Sequence, residues 1–434
     1  MLARAGGARG EPIRSRLANW SRPLPCVPPG ELTQMATSNA AGNSSDTAAL
    51  NAALNSALNS ATAGAWEKVP AQQRPQVVVG FDGFVDHIIQ VVDTREGSDA
   101  YTAMPTIAAW GAKVSAAAGK SANFELVVTT SKIGGNGPIM ANALCSSDHR
   151  VTCIGLLGET GIDAVFAPLA ERAEAVVSLG GPGVTDALEF SDGKVMLGKL
   201  TPLARVTYEN IVARVGADRL RTLLHQADAI ATVNWTMSLG LTDIWNRLAD
   251  DILVGLKRRP LWFVDLADPA KRTLTDQKAA FAALTKLQSR VDVVLGMNEA
   301  ELRQVLHALG ESWPAGATEY DQARAGCVIV RDRLGLAFAM CHLVKSAACA
   351  WSAGAGRHGD ASAGSACADG FFDPKPKITT GAGDHFNAGF VGALLAGLLP
   401  QQALQVGGAT SGVYVRTAVS PTRTAAVAFL RERA

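Results

Sequence analysis

The chain has 434 residues, of which 48% are hydrophobic and 18% charged, and its formal net charge is +1. This composition predicts a soluble globular protein, with room for one large domain or two to three average ones. The near-neutral charge gives no basis for binding nucleic acid or an acidic membrane, and no apolar stretch is long enough to span a bilayer.

The N-terminal segment differs in composition from the rest of the chain. Residues 1–22 are rich in Arg, Gly and Ala, and Glu11 is their only acidic residue. A disordered extension, or a start codon upstream of the true start at Met35, is the preferred interpretation. An organellar transit peptide is the alternative, because such peptides are also basic and poor in acids.

A low-complexity stretch follows at residues 39–63, where Ala, Asn, Ser and Leu dominate. Three leucines recur four residues apart and predict one thin apolar stripe on a peripheral helix, namely Leu50, Leu54 and Leu58. We therefore predict an N-terminal extension over residues 1–74, disordered or forming this helix, and an ordered domain over residues 75–434.

Short apolar runs rich in β-branched residues recur from residue 76 onward. Such runs are typical of strands that are buried on both faces. Amphipathic helical stretches lie between several of them, for example at residues 164–173 and 300–309, which implies a largely parallel sheet with helices on both faces. The predicted strands are residues 77–79, 151–157, 229–233, 261–264, 291–295 and 327–330.

Two further segments have a different pattern. Residues 186–200 place a Ser-Asp-Gly turn between two short runs, which predicts an antiparallel hairpin and a small flap beside the main sheet. Residues 346–370 are rich in Ala, Gly and Ser. Because they contain few large apolar side chains, they predict a surface loop.

The most informative segment is Thr379-Thr380-Gly381-Ala382-Gly383-Asp384-His385-Phe386, followed by a helically spaced apolar stretch over residues 387–399. Glycines before a helix let backbone N–H groups converge, and the helix N-terminus adds partial positive charge. This arrangement suits a transferring phosphoryl group, and Asp384 beside it would accept a proton from an attacking hydroxyl. The alternative is a glycine-rich turn with Asp384 as a helix N-cap.

This string resembles the C-terminal motif of the ribokinase-like (PfkB) family of carbohydrate and nucleoside kinases, and the similarity extends from about Val77 to the C-terminus. The resemblance implies an α/β fold, a three-layer sandwich with a largely parallel central sheet and a small β-rich lid, here at residues 87–133 and 184–202. It also implies that Asp384 is the catalytic base. The implied anion hole consists of Gly381, Ala382 and Gly383.

Asn298 and Glu301 open a helix after the strand at residues 291–295, so both side chains lie on one face. They resemble the family's Asn-x-x-Glu element, which organises hydrated Mg²⁺ and phosphate through oxygen ligands and water. A capping box is the alternative interpretation. Asp265 and Asp268 end another strand at the carboxyl edge of the sheet, where ligands collect in open α/β folds, although a turn explains Asp268 equally well.

The expected substrate residues follow the first strand. The family places an acidic residue there to hold substrate hydroxyls, and Asp86 matches it best, with Asp82 as the nearby alternative. Both carboxylates could instead cap loops. The segment Gly134-Gly135-Asn136 resembles the family's substrate loop, but Pro138 stands where many members carry Asn, so we expect Asn136 or Asn142 to supply the polar contact.

The nucleotide is expected near Thr380, Arg331 and Gly335, because residues 328–331 resemble the strand that flanks ATP in the family. Residues 407–415 would then form the adenine wall. Lys377-Ile378 precede Thr379 where many members have an Asp that contributes to a monovalent-cation site, so potassium activation is not expected. His87 and His385 lack metal-ligand spacing and are expected to be structural or exposed.

The resemblance implies ATP- and Mg²⁺-dependent phosphoryl transfer to a hydroxyl of a sugar or sugar-like substrate. A nucleoside or other small-alcohol kinase of the same fold, and a catalytically silent nucleotide-binding regulator, are the alternatives. A homodimer through the lid is a further implication. A cytoplasmic location is expected because seven cysteines are scattered without a CxxC pair: Cys26, Cys145, Cys153, Cys327, Cys341, Cys349 and Cys367.

Overall fold

The computed structural model describes residues 44–70, 73–356 and 362–434. The chain divides into two compact units, residues 1–54 and residues 55–434. In the first unit only the beginning of helix α1 (Ser44–Glu67) is described, so the predictions for residues 1–22 and for Met35 lie outside the described residues.

Helix α1 confirms the helix that the leucine spacing predicts, but its second half is not peripheral. Within the second unit, Ala63 and Trp66 are buried in a large apolar core. Asn59 donates a hydrogen bond to the backbone carbonyl of Arg433 at 2.8 Å. This half of the helix therefore belongs to the packed domain, to which Ala63, Trp66 and Asn59 attach it.

The larger sheet has nine strands among the described residues: β1 (Gln76–Gly80), β5 (Arg150–Gly155), β6 (Ala175–Ser178), β9 (Ala229–Thr232), β10 (Leu261–Asp265), β11 (Asp292–Asn298), β12 (Phe338–His342), β13 (Ser346–Trp351) and β14 (Gly364–Asp369). Their order is β14-β13-β12-β11-β10-β9-β1-β5-β6. The strands from β12 to β6 are parallel, whereas β13 and β14 pair antiparallel at one edge. The predicted largely parallel sheet is thus confirmed.

The smaller sheet consists of β2 (Phe84–Arg95), β3 (Tyr101–Ala103), β4 (Leu126–Gly134), β7 (Gly183–Phe190) and β8 (Gly193–Lys199). The long strand β2 pairs antiparallel with β4 and then β3, and parallel with β7. Strands β7 and β8 form the predicted antiparallel hairpin. We call this sheet the lid, since it corresponds to the predicted β-rich lid segments.

The helices cover both faces of the larger sheet, and each face has its own apolar core. One core is formed with α5 (Tyr208–Val215), α6 (Ala217–Gln226), α7 (Leu241–Arg247), α8 (Leu274–Gln288), α9 (Glu299–Ala308) and α10 (Glu319–Leu334). The other is formed with α1, α3 (Asn136–Ser146), α4 (Ala167–Arg172), α11 (Ala382–Leu395), α12 (Pro400–Thr417) and α13 (Arg423–Arg431). Helix α2 (Ile107–Ala116) packs beside the lid. The three layers of the predicted sandwich are therefore present.

Two secondary-structure predictions are wrong. Residues 327–330 lie inside helix α10, where Cys327 and Val330 share a buried face with Ala323 and Leu334 at helical spacing. The segment predicted as a surface loop at residues 346–370 contains two strands instead, β13 and β14, which pair with each other. The buried β13 consists mostly of Ala and Cys, and pairing on both edges stabilises it although its side chains are small.

Candidate active site

The ends of the parallel strands place several polar side chains at one edge of the larger sheet. Asp265 ends β10, Asn298 ends β11 and His342 ends β12, and the last two are paired in register. The N-terminal half of α11 lies against this edge, since Asn387 Nδ2 in its second turn donates to Asp265 Oδ2 at 2.9 Å. The predicted ligand edge of the sheet therefore contains the motif at residues 379–386.

Asp384 lies in the first turn of α11 and is buried, with 7% of its surface exposed. Its Oδ1 accepts a hydrogen bond from Asn136 Nδ2 at 2.9 Å. Burial, reinforced by the negative charges of Asp82 and Glu301, raises the pKa of Asp384 to about 8. A carboxylate with a pKa near neutrality that is held by one amide is suited to accept a proton.

The loop before Asp384 is shaped by Gly381, which has φ of +88° and is the N-cap of α11. The N–H groups of Gly383 and Asp384 are in the first turn and have no intrahelical acceptor. The N–H of Ala382 is used within the turn, where it donates to the carbonyl of Thr379 at 3.1 Å. Of the three residues predicted to form the anion hole, Ala382 thus has its amide already engaged.

Asp82 is fully engaged by protein donors. Its carboxylate accepts from the backbone N–H groups of Asn136 at 3.0 Å and Gly137 at 2.8 Å, and from Asn234 Nδ2 at 2.8 Å. Burial raises its pKa to about 6, against these hydrogen bonds. Asp82 therefore caps the N-terminus of α3, the role the sequence offered as the alternative to substrate binding, and fixes Asn136 beside Asp384.

The two glycines of the substrate loop are required by the carboxylates beside them. A Cβ on Gly134 would lie 2.3 Å from Asp86 Oδ1. Gly135 has φ of +85°, and a Cβ there would lie 3.1 Å from Asp82 Oδ2. The Gly-Gly pair thus lets both acids approach the loop, because any side chain would displace them.

Asp86 is buried on lid strand β2, between Lys132 of β4 and Thr185 of β7. Burial raises its pKa, whereas a hydrogen bond with Thr185 and the charge of Lys132 lower it. The side chain lies where the lid joins the larger sheet, next to Gly134. Asp86 and Asp384 are therefore placed on either side of the Gly134-Gly135-Asn136 loop.

Asn298 and Glu301 form a capping box. Glu301 N–H donates to Asn298 Oδ1 at 2.9 Å, and Asn298 N–H donates to Glu301 Oε2 at 2.8 Å. Glu301 Oε1 also accepts from the N–H of Asp268 at 3.0 Å. The two interpretations of the sequence are compatible here, because each carboxylate oxygen retains one lone pair.

A cavity of about 740 Å³ lies beside this edge. Its walls come from the starts of α9 and α11, the turn after β12, the segment after β14, and one face of α12. Gly408 and Gly412 lie on that face, inside the segment predicted to wall the adenine. Asn298, Thr379, Ala382 and Gly383 line the end nearest Asp384, so the cavity meets the loop at residues 379–383 that was predicted to bind the phosphoryl group.

The structure does not bring the other predicted nucleotide residues to this cavity. Arg331 lies in α10, and its Nη1 donates to the carbonyls of Trp351 at 2.8 Å and Gly364 at 3.2 Å. Gly335 is the C-cap of that helix, with φ of +62°. The prediction that Arg331 and Gly335 bind the nucleotide depended on a strand at residues 327–330. Because these residues are helical, neither Arg331 nor Gly335 lines the cavity. Thr380 lies in the loop, but its carbonyl accepts from Tyr414 Oη at 2.9 Å.

Sequence reasoning missed two residues at the site. His342 packs over the loop, since a Cβ on Gly383 would lie 3.1 Å from its Nε2, and it stacks near Phe386. Asn387 ties α11 to Asp265. His342 follows an apolar run that ends a strand, which is the pattern that identified Asp265, whereas Asn387 has no signal besides its distance of three residues from Asp384.

Comparisons with known proteins give the family. A family model described as prokaryotic ketohexokinase matches residues 54–433. The ketohexokinase of Haloferax volcanii is 31% identical over 353 residues, which cover 80% of this chain and 88% of the relative.

Solved structures give the fold. A putative ribokinase II from E. coli in complex with ATP and Mg²⁺ has a TM-score of 0.54 and 12% identity, and covers 82% of this chain and 99% of that chain. Ribokinase from Arabidopsis thaliana complexed with ribose and ATP has a TM-score of 0.51 and 17% identity, with coverage of 82% and 99%. The chain therefore has the ribokinase-like fold, belongs to the prokaryotic ketohexokinase family and is a sugar kinase of the PfkB type.

Proposed function

We propose that this sugar kinase transfers the γ-phosphoryl group of ATP, in the presence of Mg²⁺, to a hydroxyl of a ketohexose, with Asp384 as the catalytic base. One observation carries the proposal. Asp384 is buried at the N-terminus of α11, is hydrogen-bonded to Asn136, and adjoins a cavity of about 740 Å³. The name of the Haloferax relative supports the choice of a ketohexose.

The reaction needs a group that removes the proton from the attacking hydroxyl. The pKa of Asp384, raised by burial to about 8, lies near neutral pH, where a base both is partly ionised and binds a proton well. Asn136 Nδ2 holds Oδ1 and leaves Oδ2 for the hydroxyl. In this proposal Asp384 takes the proton as the hydroxyl oxygen bonds to phosphorus and the bond to the leaving ADP breaks.

The negative charge on the transferring group would be met by the first turn of α11. The N–H groups of Gly383 and Asp384 are not used in the helix, and the helix dipole adds positive potential there. Gly381 supports this geometry because its φ of +88° is one that a side chain would strain. The large cavity on the other side of Gly383 is suited to the rest of ATP, and ADP- or ATP-bound relatives of the same fold support this.

The acidic groups around the loop fit Mg²⁺. Asp265, Glu301 and Asp384 are all buried, their pKa values are raised by burial first, and each repels at least one other acid. Glu301 is oriented by two backbone amides and retains lone pairs that can bind metal-bound water. Asn298 and Glu301 would therefore hold hydrated Mg²⁺, which supplies charge neutralisation for the phosphates.

The sugar would lie between the lid and the Gly134-Gly135-Asn136 loop. Asp86 is positioned there with its pKa raised by burial, and it can accept from two hydroxyls when ionised. Asp82 would act by holding the loop rather than by binding the sugar, because its carboxylate already accepts three hydrogen bonds.

The test compares Asp384→Asn with the wild type on a panel of ketohexoses, aldohexoses, ribose and nucleosides. We expect kcat to fall about 10²- to 10⁴-fold for ketohexoses in the variant, because the base is lost. The Kd for ADP should stay within about threefold, since the loop amides remain. Asp218→Asn is the matched control, because Asp218 is also in the first turn of a helix but is exposed.

Two outcomes would contradict the proposal separately. If Asp384→Asn keeps kcat within about tenfold of the wild type, Asp384 is not the base. If the wild type phosphorylates another class of the panel better than ketohexoses, the substrate assignment is wrong while the kinase assignment stands.

We also propose a homodimer that forms through the lid and a cytoplasmic location. The lid exposes apolar side chains on one face of two strands, namely Leu126 and Val128 on β4 and Leu197 on β8. A second copy of the chain would cover them, and light scattering would give twice the mass of 45.1 kDa. The scattered free thiols support a reducing compartment.

A further inference from the structure

A continuous row of hydrogen bonds lies behind the anion-binding loop, on the side away from the large cavity. His385 follows Asp384 and is buried, with 1% of its surface exposed. Its Nδ1 lies 2.7 Å from the carbonyl oxygen of Gly381, and its Nε2 lies 2.8 Å from Ser420 Oγ. The residue thus bridges the loop and the segment that follows α12.

The row continues into the helix that begins at the substrate loop. Asn142 Nδ2 of α3 donates to Ser420 Oγ at 2.9 Å, and the guanidinium of Arg172 donates to Asn142 Oδ1. Asn142 therefore contacts this network and not the substrate side, where Asn136 supplies the polar contact to Asp384. We call the residues Arg172, Asn142, Ser420 and His385 the relay.

Every proton in the relay can be placed. Arg172 only donates, so Asn142 must present its oxygen to Arg172 and its NH₂ to Ser420. The Ser420 hydroxyl then donates to His385 Nε2, and His385 Nδ1–H donates to the Gly381 carbonyl, which can only accept. This assignment requires a neutral imidazole, and burial lowers the pKa of His385 to about 4, so the ring is neutral at pH 7.

The carbonyl groups that precede α11 are all engaged by donors from this side. The Gly381 carbonyl accepts from His385 Nδ1 and from the backbone N–H of His385 at 3.1 Å. The Thr380 carbonyl accepts from Tyr414 Oη at 2.9 Å, and the Tyr414 ring stacks on His385 with centroids 3.6 Å apart. The peptide planes that carry the N–H groups of Gly381 and Ala382, at the entry to α11, are therefore fixed by side chains.

We propose that His385, oriented by the relay, is a positioning residue that holds the anion-binding loop in its phosphoryl-binding geometry and takes the place of a bound monovalent cation. The proposal rests on the proposed function of Asp384 and its loop. Backbone carbonyls bind monovalent cations, and here N–H and O–H donors already point at the carbonyls of Gly381 and Thr380. The resemblance to the ribokinase-like family implies an acidic cation ligand ahead of Thr379, and this chain has Lys377-Ile378 there instead.

The kinetic test uses two substitutions of His385 and a matched control. His385→Leu removes both hydrogen bonds, and we expect kcat to fall about 10- to 100-fold with the KM for sugar within about twofold. His385→Asn can still donate to the Gly381 carbonyl. Its log kcat should therefore lie above that of His385→Leu by at least about a third of the difference between His385→Leu and the wild type. The control is His149→Leu, because His149 is also buried and neutral but bonds to Ser147 and Leu144.

The outcomes of this test separate the two proposals. A folded His385→Leu with kcat within about twofold of the wild type overturns the positioning role. Equal losses in His385→Leu and His149→Leu also overturn it, because the effect is then one of general packing. If His385→Leu does not fold, Ser420→Ala replaces it, and an unchanged kcat in that variant overturns the relay.

Two further measurements need no variant. Nitrogen chemical shifts of His385 in the ligand-free protein should show the neutral Nδ1–H tautomer from pH 6 to 8, and an imidazolium or an Nε2–H tautomer overturns the relay. This readout is independent of turnover, so it stands even if the proposed function fails. Replacing K⁺ by tetramethylammonium at constant ionic strength should leave kcat within about twofold of its value in K⁺. A loss of more than about fivefold would contradict the proposal that His385 takes the place of a bound monovalent cation.

Discussion

Asp384 is a buried side chain whose ionisation links the stability of the protein to the activity proposed for it. The folded protein raises its pKa from 3.8 to about 8, first by burial and then by the charges of Asp82 and Glu301. The energy needed to bury the charged form is therefore stored in the active site. A bound ligand that supplies positive charge or hydrogen-bond donors would offset it, which is the usual situation at a catalytic acid or base.

The sign of this coupling gives a prediction for the ligand-free protein. An acid with a raised folded pKa contributes stability that is fully present below pH 3.8 and is lost as the pH rises to about 8. We expect the free energy of unfolding of the wild type to fall relative to that of Asp384→Asn between pH 5 and 8, by up to about 1.4 kcal/mol per pH unit. Urea titrations at each pH would measure it.

Asp82 contributes to the same curve over a narrower range, because its pKa is raised only to about 6. The wild type and Asp384→Asn share this contribution, so it cancels in their difference. Parallel pH curves for the two proteins would contradict the raised pKa of Asp384. Asp218→Asn again serves as control and should follow the wild type, since Asp218 is exposed.

The sequence pointed to candidate site residues that are adjacent in one motif. It did not reveal residues whose roles depend on partners far away in the chain. Asp384, Gly381 and Gly383 are adjacent in one motif that resembles the family's and open one helix, so this motif singled them out as site candidates. The role of Asp82 depended on Asn234, which is 152 positions away. No local pattern predicts that contact, and the same applies to the bond between His385 and Ser420.

At the scale of elements, one hydroxyl of strand β9 links the strand to helix α7 and to the adjacent strand β10, in addition to the backbone pairing. Thr232 Oγ1 accepts hydrogen bonds from Trp245 Nε1 of α7 at 2.9 Å and from Trp262 Nε1 of β10 at 2.8 Å. Both indoles are fully buried. The strand, the helix that covers it and the next strand therefore share a single acceptor, close to the carboxyl edge that forms the site.

Thr232→Val should be strongly destabilising although it preserves the shape of the side chain. Two buried indole N–H groups would lose their acceptor, at about 1–3 kcal/mol each. Thr62→Val is the matched control, because the Thr62 hydroxyl is buried and has no hydrogen-bond partner among the residues that the structure describes, so its removal should be neutral or stabilising. Urea unfolding of both variants would show it, and equal effects at Thr232 and Thr62 would contradict the role of the shared acceptor.

The strands predicted correctly are those whose amino-acid composition is enough to show that they are buried. The runs at residues 77–79, 229–233 and 261–264 became central strands because β-branched and aromatic residues fill both faces. The run at residues 327–330 has the same composition but continues a helical pattern that includes Ala323 and Leu334. A four-residue window cannot distinguish the two, and length would have favoured the helix.

At the scale of the whole molecule, the two ends of the second unit meet on one face of the larger sheet. Trp66 of α1 packs in the same core as Leu430 of α13 and Phe390 of α11. Arg431 pairs with Glu67, and Asn59 bonds to the carbonyl of Arg433. The helix that carries Asp384 at its start therefore has its middle supported by the segment that precedes β1.

Because of these contacts with α11 and α13, the second half of α1 is part of the packed domain. The sequence had instead placed the start of the domain after residue 74. Composition suggested that boundary because Ala, Asn and Ser carry little hydrophobic signal. The contact with α11 is made by the large side chain of Trp66, since a Cβ on Gly392 would lie 3.6 Å from its ring. Only the packed partner reveals this role, since the helix itself is weakly amphipathic.

Trp66→Ala tests whether the segment before β1 stabilises the whole domain. Trp66 is 3% exposed, so we expect a loss of about 3–5 kcal/mol in the free energy of unfolding, from lost burial and the cavity left beside α11. Ser60→Ala in the same helix is the control, because Ser60 is exposed and should change stability by less than about 0.5 kcal/mol. If the two variants unfold at the same urea concentration, α1 is peripheral and the boundary at residue 74 is restored.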